Sequence, residues 1–182
     1  MVEIQITLMQ RTFSSMMFAA TVVSLMLASG CGKGAANHSD GKPITVKGLR
    51  LGMDTNELTA AAQDSLAGYS VSWQAKSKSL LWDGPAPDGK FTMDNWIVAE
   101  FDDAGHAKKI WFSAMASEQV FNSGNLTHGQ FVEAFTKAYG IPEMQSGKEY
   151  AEAIGKDGTS VRVSRKKEVI IQKGGDTKPN FN

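Results

Sequence analysis

Asp54-Thr55-Asn56-Glu57, followed by Leu58, Ala61, Ala62, Ser65 and Leu66, is the stretch on which the fold turns. An aspartate oxygen can accept from the amide three residues on while the glutamate reaches back, the reciprocal pattern that opens a helix. The apolar positions then recur at helical spacing, and Gly68 closes the run. A matching signal stands at Thr127-His128-Gly129-Gln130, followed by Phe131, Ala134, Phe135, Ala138 and Tyr139, and closed by Gly140 and Pro142. Adding 73 (127 − 54) to the first numbers sets Asp54 on Thr127, Glu57 on Gln130, Leu58 on Phe131, Ala62 on Phe135 and Leu66 on Tyr139. Any two amphipathic helices can be slid into register. The shared cap, the shared length and a hairpin after each favour an internal repeat instead.

Strand-like sequence follows each helix. Ser70-Val71-Ser72-Trp73 alternates, and Trp96–Phe101 faces Lys109–Phe112 across the turn residues Asp102-Asp103-Ala104-Gly105. In the second half, Tyr150–Ile154 faces Ser160–Val163 across Lys156-Asp157-Gly158, and Arg165-Lys166-Lys167 leads into Val169-Ile170-Ile171. The expected class is α+β, two helix-plus-antiparallel-strand repeats (44–115 and 116–173) with the helices packed on one face of an antiparallel sheet. Residues 76–94 read as an insertion in the first repeat.

Upstream, Met16–Leu27 is apolar apart from Thr21 and Ser24 and carries no charge. It is well short of the roughly 20 apolar residues of a spanning helix, so it reads as the core of a secretory signal over residues 1–30, with Arg11 as its positive flank. Glu3 is unusual there, and Met9 is an alternative start. Residues 32–43 are small, polar and turn-forming, a flexible tether reaching about 20 Å. Residues 174–182 read as a disordered tail of the same kind, leaving about 130 residues for the domain.

Lysine plus arginine and aspartate plus glutamate each number 19, and loss of Arg11 and Glu3 with the signal leaves 18 of each. A neutral chain without a block of like charge lacks the basic face that nucleic acid requires. Cys31 is the only cysteine, so no intramolecular disulfide can form and stability must come from an ordinary core.

Leu27-Ala28-Ser29-Gly30-Cys31 resembles the lipobox of bacterial lipoproteins. That resemblance implies cleavage before Cys31 and lipidation of its sulfur; an ordinary signal peptide that leaves Cys31 a free thiol is the alternative. It also implies a cell-envelope location, facing the periplasm from the outer membrane if the cell is Gram-negative, since Gly32 and not Asp follows. Gly52-Met53-Asp54-Thr55-Asn56-Glu57-Leu58 resembles the Gly-Met-Thr-x-x-Glu-Val opening of the SmpA/OmlA outer-membrane assembly lipoproteins. Tyr139-Gly140-Ile141-Pro142 is similar to the Leu-Gly-x-Pro that closes the same helix there. The wider group includes tandem-repeat β-lactamase inhibitory proteins, which bind another protein with the sheet face.

No catalytic set, cofactor site or metal site is legible. His38, His106 and His128 lack a second ligand at a productive spacing and read as solvated, and Asp102-Asp103 reads as a turn. Recognition surfaces are better represented. Leu81 and Trp82 run into the turn-rich Asp83-Gly84-Pro85-Ala86-Pro87-Asp88-Gly89, and a large apolar group at a loop edge is a usual anchor for a partner. The other reading of Leu80-Leu81-Trp82 is the end of a buried strand. Trp111 alternates out of phase with Ile110 and Phe112, so Trp96 and Trp111 are candidates for an open sheet face, against burial in the core. The expectation is therefore a non-enzymatic, lipid-anchored envelope protein that binds another protein as scaffold or accessory subunit. The alternatives are an inhibitor or immunity-type lipoprotein that blocks a hydrolase, and an enzyme or small-ligand binder with an unfamiliar site.

Overall fold

The computed structural model describes residues 42–85 and 92–174. The signal, Cys31 and most of the tether and tail lie outside them. Among the described residues, three helices and eight strands follow in the order α1 (Thr55–Ser65), β1 (Ser70–Gln74), β2 (Ser79–Pro85), β3 (Thr92–Phe101), β4 (Ala107–Phe112), α2 (Ala114–Val120), α3 (His128–Tyr139), β5 (Gln145–Ser146), β6 (Tyr150–Ile154), β7 (Thr159–Ser164) and β8 (Val169–Lys173). The α+β class is as expected.

Both capping boxes form. Asp54 Oδ1 accepts from the amides of Asn56 and Glu57, each at 2.8 Å, and Glu57 Oε2 accepts from Asp54 N at 3.0 Å. Thr127 Oγ1 accepts from Gln130 N at 3.3 Å, and Gln130 Oε1 accepts from Thr127 N at 2.9 Å. Such caps satisfy amides that a helix start leaves bare, each worth about 1 kcal/mol. Gly140 ends α3 in the left-handed region, at φ 60°, where a side chain would be strained. The short helix α2 lacks an apolar stripe to announce it; Ser113 caps it by accepting from Ala116 N at 3.1 Å.

The strands form one antiparallel sheet in the order β1-β2-β3-β4-β8-β7-β6-β5. Strands β1 to β4 run inward from one edge and β5 to β8 from the other. Their last members, β4 and β8, pair at the centre with Ile110 opposite Ile171 and Phe112 opposite Val169. Residues 76–94 are thus no insertion: β2 and the start of β3 lie within that stretch and are integral to the sheet.

Directly opposed residues point to the same side, so register sorts the side chains into rows. One row runs Val71, Trp82, Ile97, Phe112, Val169, Val163, Ala151; a second runs Trp73, Leu80, Ala99, Ile110, Ile171, Val161, Ala153. From β2 to β6 every member of both rows is buried. Leu58 and Ala62 of α1, Ala116 of α2, and Phe131 and Phe135 of α3 join the same core. Phe121 ties it together, with ring centroids 5.2 Å from both Phe112 and Phe135 and 6.0 Å from Phe131. Each large aliphatic group buried this way contributes roughly 1.5–3 kcal/mol of transfer free energy.

Candidate functional site

Between the two core rows, on the other side of the sheet, lies a third. It runs Ser72, Leu81, Val98, Trp111, Ile170, Arg162, Glu152, Gln145 and crosses all eight strands. Leu81, Val98, Trp111 and Ile170 are each half-buried, so four consecutive strands present a contiguous apolar strip at the middle of this face. Ile154 of β6 adds a further apolar group, 52% exposed. By register it lies on this side, opposite Ser160.

Among the described residues, two ion pairs lie within this face. Lys109 Nζ lies 2.8 Å from Glu100 Oε1. Glu152 is buried although it belongs to the open row: its Oε1 accepts from Ser160 Oγ at 2.6 Å and from Arg162 Nε at 2.8 Å. Arg162 in turn stacks over the Tyr150 ring, 4.9 Å from its centroid. A buried carboxylate is tolerated when its lone pairs are filled in this way. The face therefore offers apolar area with fixed, internally compensated charge at its flanks.

Two of the expected surface residues are elsewhere. Trp82 and Trp96 are each 1% exposed and belong to the core. Trp82 pairs with Ile97 and Val71, in the first core row. Simple alternation along β3 would put Trp96 with Val98 on the open side, but the β2–β3 register shifts between Trp82 and Gly84. This bulge lets Trp96 pack against the bare backbone of Gly84 and the ring of Tyr69. Leu81 and Trp111 do lie on the open face. Val98, Ile170 and the Glu152–Arg162 pair belong to the same row, and only strand order reveals that they are neighbours.

The remaining polar candidates are accounted for locally. Asp102 Oδ1 accepts from His106 N at 2.9 Å, closing the expected turn. Asp103 lies 2.7 Å from Lys78 Nζ; that hydrogen bond and charge lower the Asp103 pKa and raise that of Lys78. His106 is exposed. His128 is not solvated as expected but half-buried, with Nε2 3.3 Å from Val163 O and Nδ1 3.4 Å from Arg165. A surface hollow of about 690 Å³ lies between α3 and residues 140–146, lined by Val132, Glu133, Thr136, Ile141 and Met144 among others. Among the described residues no group of three or more His, Cys, Asp or Glu could hold a metal ion, and no helix is long and apolar enough to cross a membrane. No protein-family model, curated protein or solved structure matches the chain.

Proposed function

We propose that this chain is a bacterial envelope lipoprotein, anchored through Cys31, that binds another envelope protein on its open sheet face without catalysing a reaction. The observation that carries this reading is the row Leu81–Val98–Trp111–Ile170, an apolar strip flanked by charges that are already paired. A partner covering it buries aromatic and aliphatic area and strands no isolated charge. The tether reading adds that the domain can reach a partner at some distance from the lipid. In the same reading the two halves, 44–115 and 116–173, are copies of one helix-and-four-strand unit. The two capping boxes and the mirrored strand order support it, and the shared core supports helices lying on the buried side.

The test is crosslinked capture by the tagged full chain from detergent-solubilised bacterial envelopes, with Cys31→Ser as the anchoring control. Leu81→Ala with Trp111→Ala should cut capture by about tenfold or more, with the fold intact by circular dichroism. Capture unchanged by both substitutions would remove this face from consideration. A second reading, inhibition of a cell-wall hydrolase or β-lactamase by the same face, is favoured by the continuity of the row across both halves. It calls for near-stoichiometric loss of enzyme activity, and an uninhibited panel excludes it.

A further inference from the structure

The two core rows continue past β2, the last strand on that side whose row members are buried. At β1 they run on into solvent as Val71, 43% exposed, and Trp73, 47% exposed. At the opposite side of the sheet the same rows finish on small side chains, one at Ser146 beyond Ala151 and the other at Ala153. Among the described residues β1 is the terminal strand of the sheet, and all five of its residues are exposed. A free edge is normally blunted by charge, proline or a bulge. Ser70-Val71-Ser72-Trp73-Gln74 contains no charge and no proline, and it pairs with β2 in unbroken register.

We propose that β1 pairs with β1 of a second copy of this chain, antiparallel and centred on Ser72, so that one sheet continues across both copies. The strand is self-complementary in this arrangement. Position i meets position 144 − i, which sets Ser72 opposite Ser72, Val71 opposite Trp73 and Ser70 opposite Gln74 of the second copy. Both apolar residues fall opposite apolar residues on the core side, and both rows gain a further member: Trp73 of the second copy extends the Val71–Trp82–Ile97 row, and Val71 extends the Trp73–Leu80–Ala99 row. A two-fold pair requires this reciprocity.

Beside Val71 lies a hollow of about 270 Å³ lined by Ala62, Leu66, Tyr69, Val71 and Trp82, among others. The two-fold register brings the indole of the second copy's Trp73 to its rim, and the same happens in reverse. Electrostatics do not oppose the pairing. Lys76, the nearest cation after the strand, falls opposite Gly68 of the second copy, so the two lysines stay apart. One five-residue strand pair and two indoles make a small interface, so the pairing should be weak and visible only as a concentration-dependent equilibrium.

The register gives a sharp test. Directly opposed Cα atoms in an antiparallel pair are about 4.5–5.5 Å apart, within the span of a disulfide. In the full chain carrying Cys31→Ser, Ser72→Cys should therefore oxidise to a covalent dimer. Ser70→Cys alone should not, whereas Ser70→Cys mixed with Gln74→Cys should. Sedimentation velocity of the Cys31→Ser chain should show a concentration-dependent dimer, weakened about tenfold or more by Val71→Lys, with the melting temperature of the monomer little changed, and by Trp73→Lys, which also gives up an edge contact with Phe101. Monomer at every concentration, or crosslinking of Ser70→Cys as strong as that of Ser72→Cys, would overturn the proposal. So would a dimer indifferent to both lysine substitutions.

Discussion

Gly84 and Trp96 approach so closely that a Cβ on Gly84 would sit 2.6 Å from Trp96 Cε3. Tyr69 closes the other side of the same gap, its ring centroid 5.9 Å from that of Trp96. The absence of one methyl group thus decides where the largest side chain of β3 goes. Gly84→Ala forces a buried indole to move, and overpacking of this kind costs typically 1–3 kcal/mol. Chemical denaturation should show that loss as a lower midpoint at unchanged slope. A variant as stable as the parent would mean that the Trp96 site is looser than its geometry.

Glu152 supports a second prediction. Its carboxylate holds Ser160 and Arg162 on the open face, and Arg162 covers Tyr150. Truncation by Glu152→Ala leaves a buried hydroxyl and a half-covered guanidinium without their shared acceptor, a loss of about 1–3 kcal/mol. Replacing Glu152 and Arg162 together should cost less than the sum of the single changes. Strict additivity in that double-mutant cycle would argue that the pair is not coupled.

The Lys78–Asp103 contact carries a pH signature. The hydrogen bond from Lys78 and its charge hold Asp103 below the usual carboxylate range. A carboxyl group lowered on folding adds stability that is present above its unfolded value of about 3.9 and is lost as pH falls through the folded value. Both partners are well exposed, so solvent screens the pair and its share of total stability is small. Carboxyl-carbon NMR titration should find the Asp103 midpoint below the ordinary aspartate value of about 3.9. In Lys78→Gln it should rise toward the ordinary value, and an unmoved midpoint would rule out Lys78 as the cause.

Local chemistry made much of this molecule readable in advance. The capping boxes at Asp54 and Thr127, the stop at Gly140 and the turns at residues 102–105 and 156–158 each depend on neighbours within a few positions. Their energetics are therefore written in consecutive residues. The alternation of Ile110, Trp111 and Phe112 likewise assigned Trp111 to one side and its neighbours to the other. Helix α2 escaped because Ala114–Val120 buries only Ala116 and Ser117 and has no apolar stripe to betray it.

Strand order was a different matter. Nothing in the local pattern says that β4 lies beside β8, yet that pairing alone brings Trp111 opposite Ile170 and joins the halves into one face. Trp82 and Trp96 show the same boundary. Each sits in a strand as its composition suggests, but register and the bulge at Trp82/Gly84 put both in the core. The sequence by itself determined the capped starts of α1 and α3 and the hairpin turns, because these arise from contacts between near neighbours, and the neutral charge balance, which is composition alone. Tertiary structure alone decided which side chains share the open face and that Val71 and Trp73 stand on the outermost described strand, because pairing between distant strands fixes both.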